Sequence, residues 1–386
     1  MFSRRTAWDT AESALAQAIR ARRAAGLELL DLTISNPTLC GFELDSAALL
    51  APLANPAALT YEPDPRGLRS ARESVALYYR DHAVAVDSDA LILTTSTSEA
   101  YSFLFRLLCD PSDQVLAPQP SYPLFDFLAG LDDVALDPYP LFYDFGWWID
   151  FAELERRITP RTRAILLVHP NNPTGHATRR PERERLEALC LQHNLVLIVD
   201  EVFLDYALDD PIESFAAGPH PCLTFVLSGL SKIAALPQMK VAWLAVFGPG
   251  VVRSEALARL EIVADTFLSM NAPAQHALPA WLAGRESIRR QILARVRSNL
   301  ATLAASGLKT LPVEAGWSAI LRLPQRIASK TLAESLVQQA AIVVHPGAFY
   351  GLPGDNHVVV SLIGPAETFV RGIEKLKQWC GPEELT

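Results

Sequence analysis

Leu195-Val196-Leu197-Ile198-Val199-Asp200 is apolar at five successive positions and then stops at a carboxylate. Ala164-Ile165-Leu166-Leu167-Val168 is a second run of this kind, and the charged segment Pro181–His193 between them has the length of a helix. A strand apolar on both sides must be covered on both sides, the situation of parallel strands in an α/β sheet. The intervening helix supplies the crossover. Working outward, Leu91–Thr94, Gln114–Ala117, Leu223–Leu227 and Val241–Val246 read as further strands, with a helix over Glu99–Cys109. The pattern predicts an α/β domain with a mostly parallel sheet over residues 45–282. A smaller α+β domain is expected from residues 1–44 and 283–386. It would contain helices at Thr10–Ala25, Ser287–Ala305, Lys330–Gln339 and Ala366–Trp379, and strands near Ala319–Leu323, Ile342–Val344 and Val358–Leu362.

The 386 residues exceed one ordinary core. A formal charge of −9 argues against nucleic acid or an anionic membrane as the main partner. Met1–Thr6 leads into a charged stretch without an apolar signal core, and no run approaches a spanning helix, so neither a signal peptide nor a membrane partner is expected. Five dispersed cysteines with no CxxC pair suit a reduced, cytoplasmic setting. His169, His176 and His193 lack ligand spacing, so no metal site is expected.

Doubly wound sheets bind ligands at the carboxyl ends of their strands. Four features fall there. Thr94-Thr95-Ser96-Thr97-Ser98, between a strand and a helix, offers hydroxyls and backbone N–H groups to an anion such as phosphate, although capping alone is the commoner use. Asn171-Asn172-Pro173-Thr174-Gly175 follows a strand, and the Asn172 amide can donate to a ligand oxygen or serve ordinary turn chemistry. Asp200 is costly to bury unpaired; a protonated pyridine nitrogen would satisfy it, and a turn or cap is the alternative. Lys232, in Ser228-Gly229-Leu230-Ser231-Lys232, presents an amine able to form a Schiff base with an aldehyde cofactor. Lys240 adds a cation that would help hold a phosphate and depress that amine's pKa. Each feature is ordinary alone. Together they supply every contact one ligand needs.

In this order the motifs resemble the class I/II aminotransferases of fold type I, the pyridoxal 5′-phosphate (PLP) group that includes aspartate and alanine aminotransferases. They are Tyr61–Leu68, Pro120-Ser121-Tyr122-Pro123, Asn172–Gly175, Asp200-Glu201, Ser228–Lys232 and Ala272–Gln275. The resemblance implies the aspartate aminotransferase fold, an α/β domain with a mostly parallel, seven-stranded type of sheet, with Lys232 as the Schiff-base residue and proton shuttle. It implies Asp200 against the ring nitrogen, Asn172 on the phenolic oxygen, Tyr122 stacked on the ring, and Ser96, Thr97, Ser231 and Lys240 around the phosphate. Tyr61 would reach the neighbouring subunit's phosphate, so a homodimer is implied, and Asn36 would lie on the substrate side. The implied reaction is ping-pong transfer of an amino group from a small donor, an amino acid, to a 2-oxo acid or other carbonyl acceptor. The fold also serves β-elimination (C–S) lyases. A non-catalytic PLP-binding regulator is a further reading, disfavoured by the acidic charge and the lack of a helix-turn-helix extension.

Five positions depart from that pattern, among them Ser96, which stands where a glycine is common. Phe203 replaces the usual tyrosine beside the phenolic oxygen, and Gln238 and Lys240 replace Gly and Arg of a Gly-x-Arg motif. Val359 stands where the family carries the arginine that clamps the substrate carboxylate. Either another cation serves, with Arg322, Arg4, Arg5 and Lys240 as candidates, or the substrate presents no α-carboxylate there. Asn36, Asn172 and Arg322 are the expected substrate contacts.

Overall fold

A computed structural model describes residues 1–324, 329–354 and 356–381. Its strands are β1 (Leu30–Asp31), β2 (Leu91–Thr94), β3 (Gln114–Gln119), β4 (Ala135–Tyr143), β5 (Trp147–Ile149), β6 (Thr162–Val168), β7 (Val196–Asp200), β8 (Thr224–Gly229), β9 (Ala242–Phe247), β10 (Ser318–Arg322), β11 (Ile342–Val343), β12 (His345–Pro346) and β13 (His357–Ser361). The large sheet has the order β2-β9-β8-β7-β6-β3-β4-β5. Strands β8, β7, β6, β3 and β4 run parallel, as the unbroken apolar runs require. Two strands of this sheet escape the sequence. Pro138 and Pro140 disguise β4, and β5 is a three-residue edge piece paired antiparallel to it.

The direction of β9 matters most for the site. It runs antiparallel to both neighbours, so its first residue, Ala242, lies opposite Thr94 at the end of β2 and Gly229 at the end of β8. Asp200 closes β7 between Val168 of β6 and Leu227 of β8. One edge of the sheet therefore gathers the Ser96 turn, Asp200, Lys232 and the segment leading to Ala242.

The close fit at this edge excludes a side chain at residue 229. A Cβ added to Gly229 would lie 2.8 Å from the Ala242 Cβ and 3.0 Å from the Val241 carbonyl oxygen. Gly229→Ala is expected to cost about 1–3 kcal/mol through overpacking, read as a lower urea midpoint, and to displace the turn that carries Lys232.

The second helix-rich region differs from expectation in one respect. A single 35-residue helix runs from Ala272 to Ser306, where the sequence suggests only Ser287–Ala305. Pro279 inside it hides the first half, because proline normally ends or kinks a helix. Leu278, Trp281 and Leu282 pack with the large sheet's core, while Ile288, Ile292 and Val296 join the core of the smaller sheets. The expected division at residue 282 thus falls inside one continuous helix.

The N-terminal segment joins the C-terminal one through β1, parallel to β11. Strands β10, β13 and β12 form an antiparallel sheet in that order. Ala319, Leu321, Val358 and Val360 bury one face in the smaller core, and Ile320 and Val359 turn the other toward the large sheet. Among the described residues no helix is long and apolar enough to cross a membrane.

Candidate active site

Lys232 sits in the short helix Leu230–Ile233 that follows β8. Its backbone carbonyl accepts the Tyr206 hydroxyl at 2.6 Å. Its Nζ lies 4.9 Å from the centre of the Trp317 ring and 5.6 Å from that of Phe203. Burial holds the amine's pKa below the usual lysine range, with Asp200 acting the other way. A larger fraction is therefore neutral and nucleophilic at neutral pH.

Asp200 is 6% exposed. Its Oδ1 accepts the Val202 N–H at 3.0 Å, and its Oδ2 accepts the Tyr101 hydroxyl at 2.9 Å. Burial pushes its pKa up to about 6; the Val202 and Tyr101 hydrogen bonds and Lys232 counter it. Neither hydrogen-bond partner is a cation. A protonated ring nitrogen fits that unmet demand.

Asn172 has its Oδ1 taken by the Ser318 hydroxyl at 3.2 Å, and its Nδ2 carries no hydrogen bond among the described residues. The amide nitrogen is thus the atom available to a ligand oxygen. Asn171 is structural: its Nδ2 donates to the Pro120 carbonyl and the Thr174 hydroxyl, and its Oδ1 accepts the Ser121 hydroxyl. These bonds tie the Tyr122 loop to the Asn172 loop. Tyr122 itself is 40% exposed and meets Phe125 edge to face.

Ser96 caps the helix Thr97–Leu108 by accepting the Glu99 N–H at 3.1 Å, and Thr97 opens the first turn, where backbone N–H groups lack intrahelical acceptors. Ser231 is partly buried beside Lys232, and Lys240 is exposed in a left-handed conformation (φ 53°) two residues before β9. The sheet register brings all four to the same edge.

Other expected residues lie elsewhere. Tyr61 is 81% exposed, on the outside of the chain. The Asn36 Oδ1 accepts both the N–H and the hydroxyl of Thr38, so its carbonyl caps the turn. Arg322 is exposed at the end of β10, opposite His357 and four residues beyond Ser318, about 13 Å along the strand. Arg5 is paired with Asp133, and Arg4 is exposed in the N-terminal turn. Tyr206 spends its hydroxyl on the Lys232 carbonyl, so it does not stand in for the tyrosine absent at Phe203.

Sequence reasoning missed three contributors. Tyr101 orients Asp200, Trp317 covers Lys232, and Ser318 fixes the Asn172 amide. A buried helical tyrosine reads as core, and Trp317-Ser318 stands far from both residues it serves. No local signal distinguished them.

The sequence profile of the family described as "Aminotransferase class I and II" matches residues 29–375. A Mycobacterium bovis protein named alanine aminotransferase is 34% identical over 276 residues, covering 70% of this chain and 64% of the relative. The Escherichia coli glutamate-pyruvate aminotransferase AlaA is 31% identical over 267 residues, covering 68% of this chain and 65% of the relative. The matched segment thus spans just under two thirds of these relatives' length. An alanine aminotransferase from Pyrococcus furiosus has the same fold, with a TM-score of 0.89 at 21% identity and coverage of 98% of this chain and 99% of that one. A profile match over most of the chain, on a sheet that assembles Lys232, Asp200 and Asn172 at one edge, shows that the protein belongs to the class I and II aminotransferases, a family that works with PLP.

Proposed function

We propose that the chain is a PLP-dependent aminotransferase that moves an amino group between a small amino donor and a 2-oxo acid or another carbonyl acceptor. One observation carries the reading: Lys232, just after β8, and the buried Asp200, closing the adjacent β7, share one edge of the sheet, the amine's pKa lowered and the carboxyl's raised by burial. Bound there, PLP would supply an aldehyde for the donor's nitrogen and a ring that spreads negative charge from its α-carbon. Lys232 would hold the aldehyde carbon and then carry the proton at the α-carbon. Asp200, fixed by Tyr101, would keep the ring nitrogen protonated. Asn172 Nδ2 would donate to the phenolic oxygen, with Tyr122 over the ring. Ser96, Thr97, Ser231 and Lys240 would hold the phosphate. Phe203 and Trp317 flank the lysine amine.

The names of the relatives make alanine, glutamate and pyruvate the first compounds to try. Adding an amino donor alone to the PLP-loaded protein is expected to bleach the yellow cofactor band in one turnover, and a 2-oxo acid to restore it. Release of ammonia and pyruvate instead would overturn the reading in favour of an elimination.

The exposure of Tyr61 supports a homodimer in which this phenol reaches the other subunit's phosphate. Tyr61→Phe is then expected to weaken PLP binding by roughly 2–10-fold, the worth of one hydrogen bond, without changing the monomer–dimer distribution by sedimentation. Five free cysteines support a reducing, cytoplasmic compartment. Most of the core of the smaller sheets comes from 1–44 and 283–386, which supports the division into a large unit, 45–282, and a small one made of those two segments.

A further inference from the structure

The small-sheet face that looks onto Asn172 is nearly without charge. Register sets Ile320, Val359 and His345 in one row across β10, β13 and β12, and directly opposed residues of antiparallel strands share a face. Ser318, two residues before Ile320 on this face, touches Asn172. The row is therefore about 7 Å from that contact. Ile320 and Val359 are each 2% exposed and closed into the core. His345, half-buried, is the polar member of the row.

His345 is also connected to the site. Its Nδ1 lies 2.9 Å from the Tyr350 hydroxyl, and the Tyr350 carbonyl accepts the Ser121 N–H at 3.0 Å, next to Tyr122. Burial, and then Tyr122, push the Tyr350 phenol up to about 12, so it stays protonated and can donate to Nδ1. That leaves the imidazole hydrogen on Nε2. Several other cations are committed: Arg5 to Asp133, Arg179 to Glu314, Arg289 to Glu286, and Arg295 to the Cys40 and Gly364 carbonyls, while Arg4 lies exposed in the N-terminal turn and Lys240 exposed on the phosphate side before β9. Arg322 stands a row away beside His357, exposed.

The geometry points to His345 as the group that meets the substrate's carboxylate, donating from Nε2 while Tyr350 orients the ring, in the row where Val359 leaves no cation. The inference rests on the aminotransferase reading of the site. One imidazole N–H grips a carboxylate less firmly than a guanidinium fork, so carboxylate-bearing donors should saturate the enzyme only at high concentration.

The test uses the PLP-loaded protein and two donors with the same amine, L-alanine and L-alaninamide, in single-turnover runs. His345→Ala is expected to raise the half-saturating alanine concentration roughly 10-fold or more, the loss of a hydrogen bond to a charged group. The limiting rate should hold, and alaninamide should change less than about twofold. His345→Gln, which keeps a donor near Nε2, should recover most of the loss, and Tyr350→Phe should fall between. Equal loss for both donors, no loss for alanine, or a wild-type protein that uses alaninamide as well as alanine would overturn the assignment. A wild-type band that no donor bleaches counts against the aminotransferase reading itself. Calorimetric titration with pyruvate then decides for His345: binding weakened in His345→Ala supports its role, and unchanged binding overturns it.

Discussion

Lys232→Ala is expected to reduce single-turnover amino transfer by about 10²–10⁴-fold, the usual worth of a positioned acid–base group, while leaving the protein folded. The loss should be large because nothing nearby can take over. Phe203 and Trp317 flank the amine, Tyr206 has its hydroxyl on the Lys232 carbonyl, and Asp200 is committed to Tyr101 and Val202. Folding should survive because the lysine Nζ makes no hydrogen bond among the described residues, and the Tyr206 bond is to the backbone. Lys232→Arg is expected to fail as badly, since a guanidinium stays protonated and cannot accept the proton. Full turnover in either variant, measured by bleaching of the cofactor band, would remove the lysine from the reaction.

Asp200→Asn should separate function from stability. Removing one partner of a buried charge pair costs about 3–5 kcal/mol, so the rate should drop by about 10²–10⁴-fold. The cofactor-free protein should move in the opposite direction. The Asp200 carboxyl is raised from its ordinary 3.8 to about 6 by burial. The folded state therefore binds more protons than the unfolded state between those pH values. Stability from this group is present below about pH 4 and is lost as pH rises through about 6. Glu201, pushed up to about 7 by burial, acts with the same sign. Asparagine cannot ionise, keeps an acceptor for the Val202 N–H, and lets the Tyr101 hydroxyl accept. At pH 7.5 the cofactor-free variant is expected to be more stable than the parent by up to about 3 kcal/mol, with the difference vanishing near pH 4. Urea midpoints at the two pH values measure it. A variant less stable at pH 7.5 would show that the ionised carboxylate holds the empty site together.

Much of the site was legible because its chemistry sits at pattern breaks. Asp200 ends five apolar residues, Lys232 follows a strand and a glycine, and Asn172 precedes a proline after a buried run. A polar group in such a place carries a cost that structure or function must meet. Tyr101, Trp317 and His345 break no pattern. Each is an aromatic or imidazole ring in an apolar neighbourhood, and only its partner across the fold gives it a role. Arg322 shows the converse: a cation is easy to see in a sequence, but its register opposite His357 puts it at the far end of β10. The long helix was half concealed for a local reason, Pro279, which tertiary packing on both sides overrides.

The α/β class and the order of polar residues along the strand ends follow from side-chain polarity in the sequence, which also proposes Lys232, Asp200 and Asn172 as the central residues. Tertiary structure alone decided that β9 runs antiparallel and brings its first residues back to the Lys232 edge, since an apolar strand has the same composition in either direction. It also decided which residues of the small sheet share a face. A strand's residues alternate between two faces, and only the pairing of β10, β13 and β12 shows that Val359 shares its row with His345.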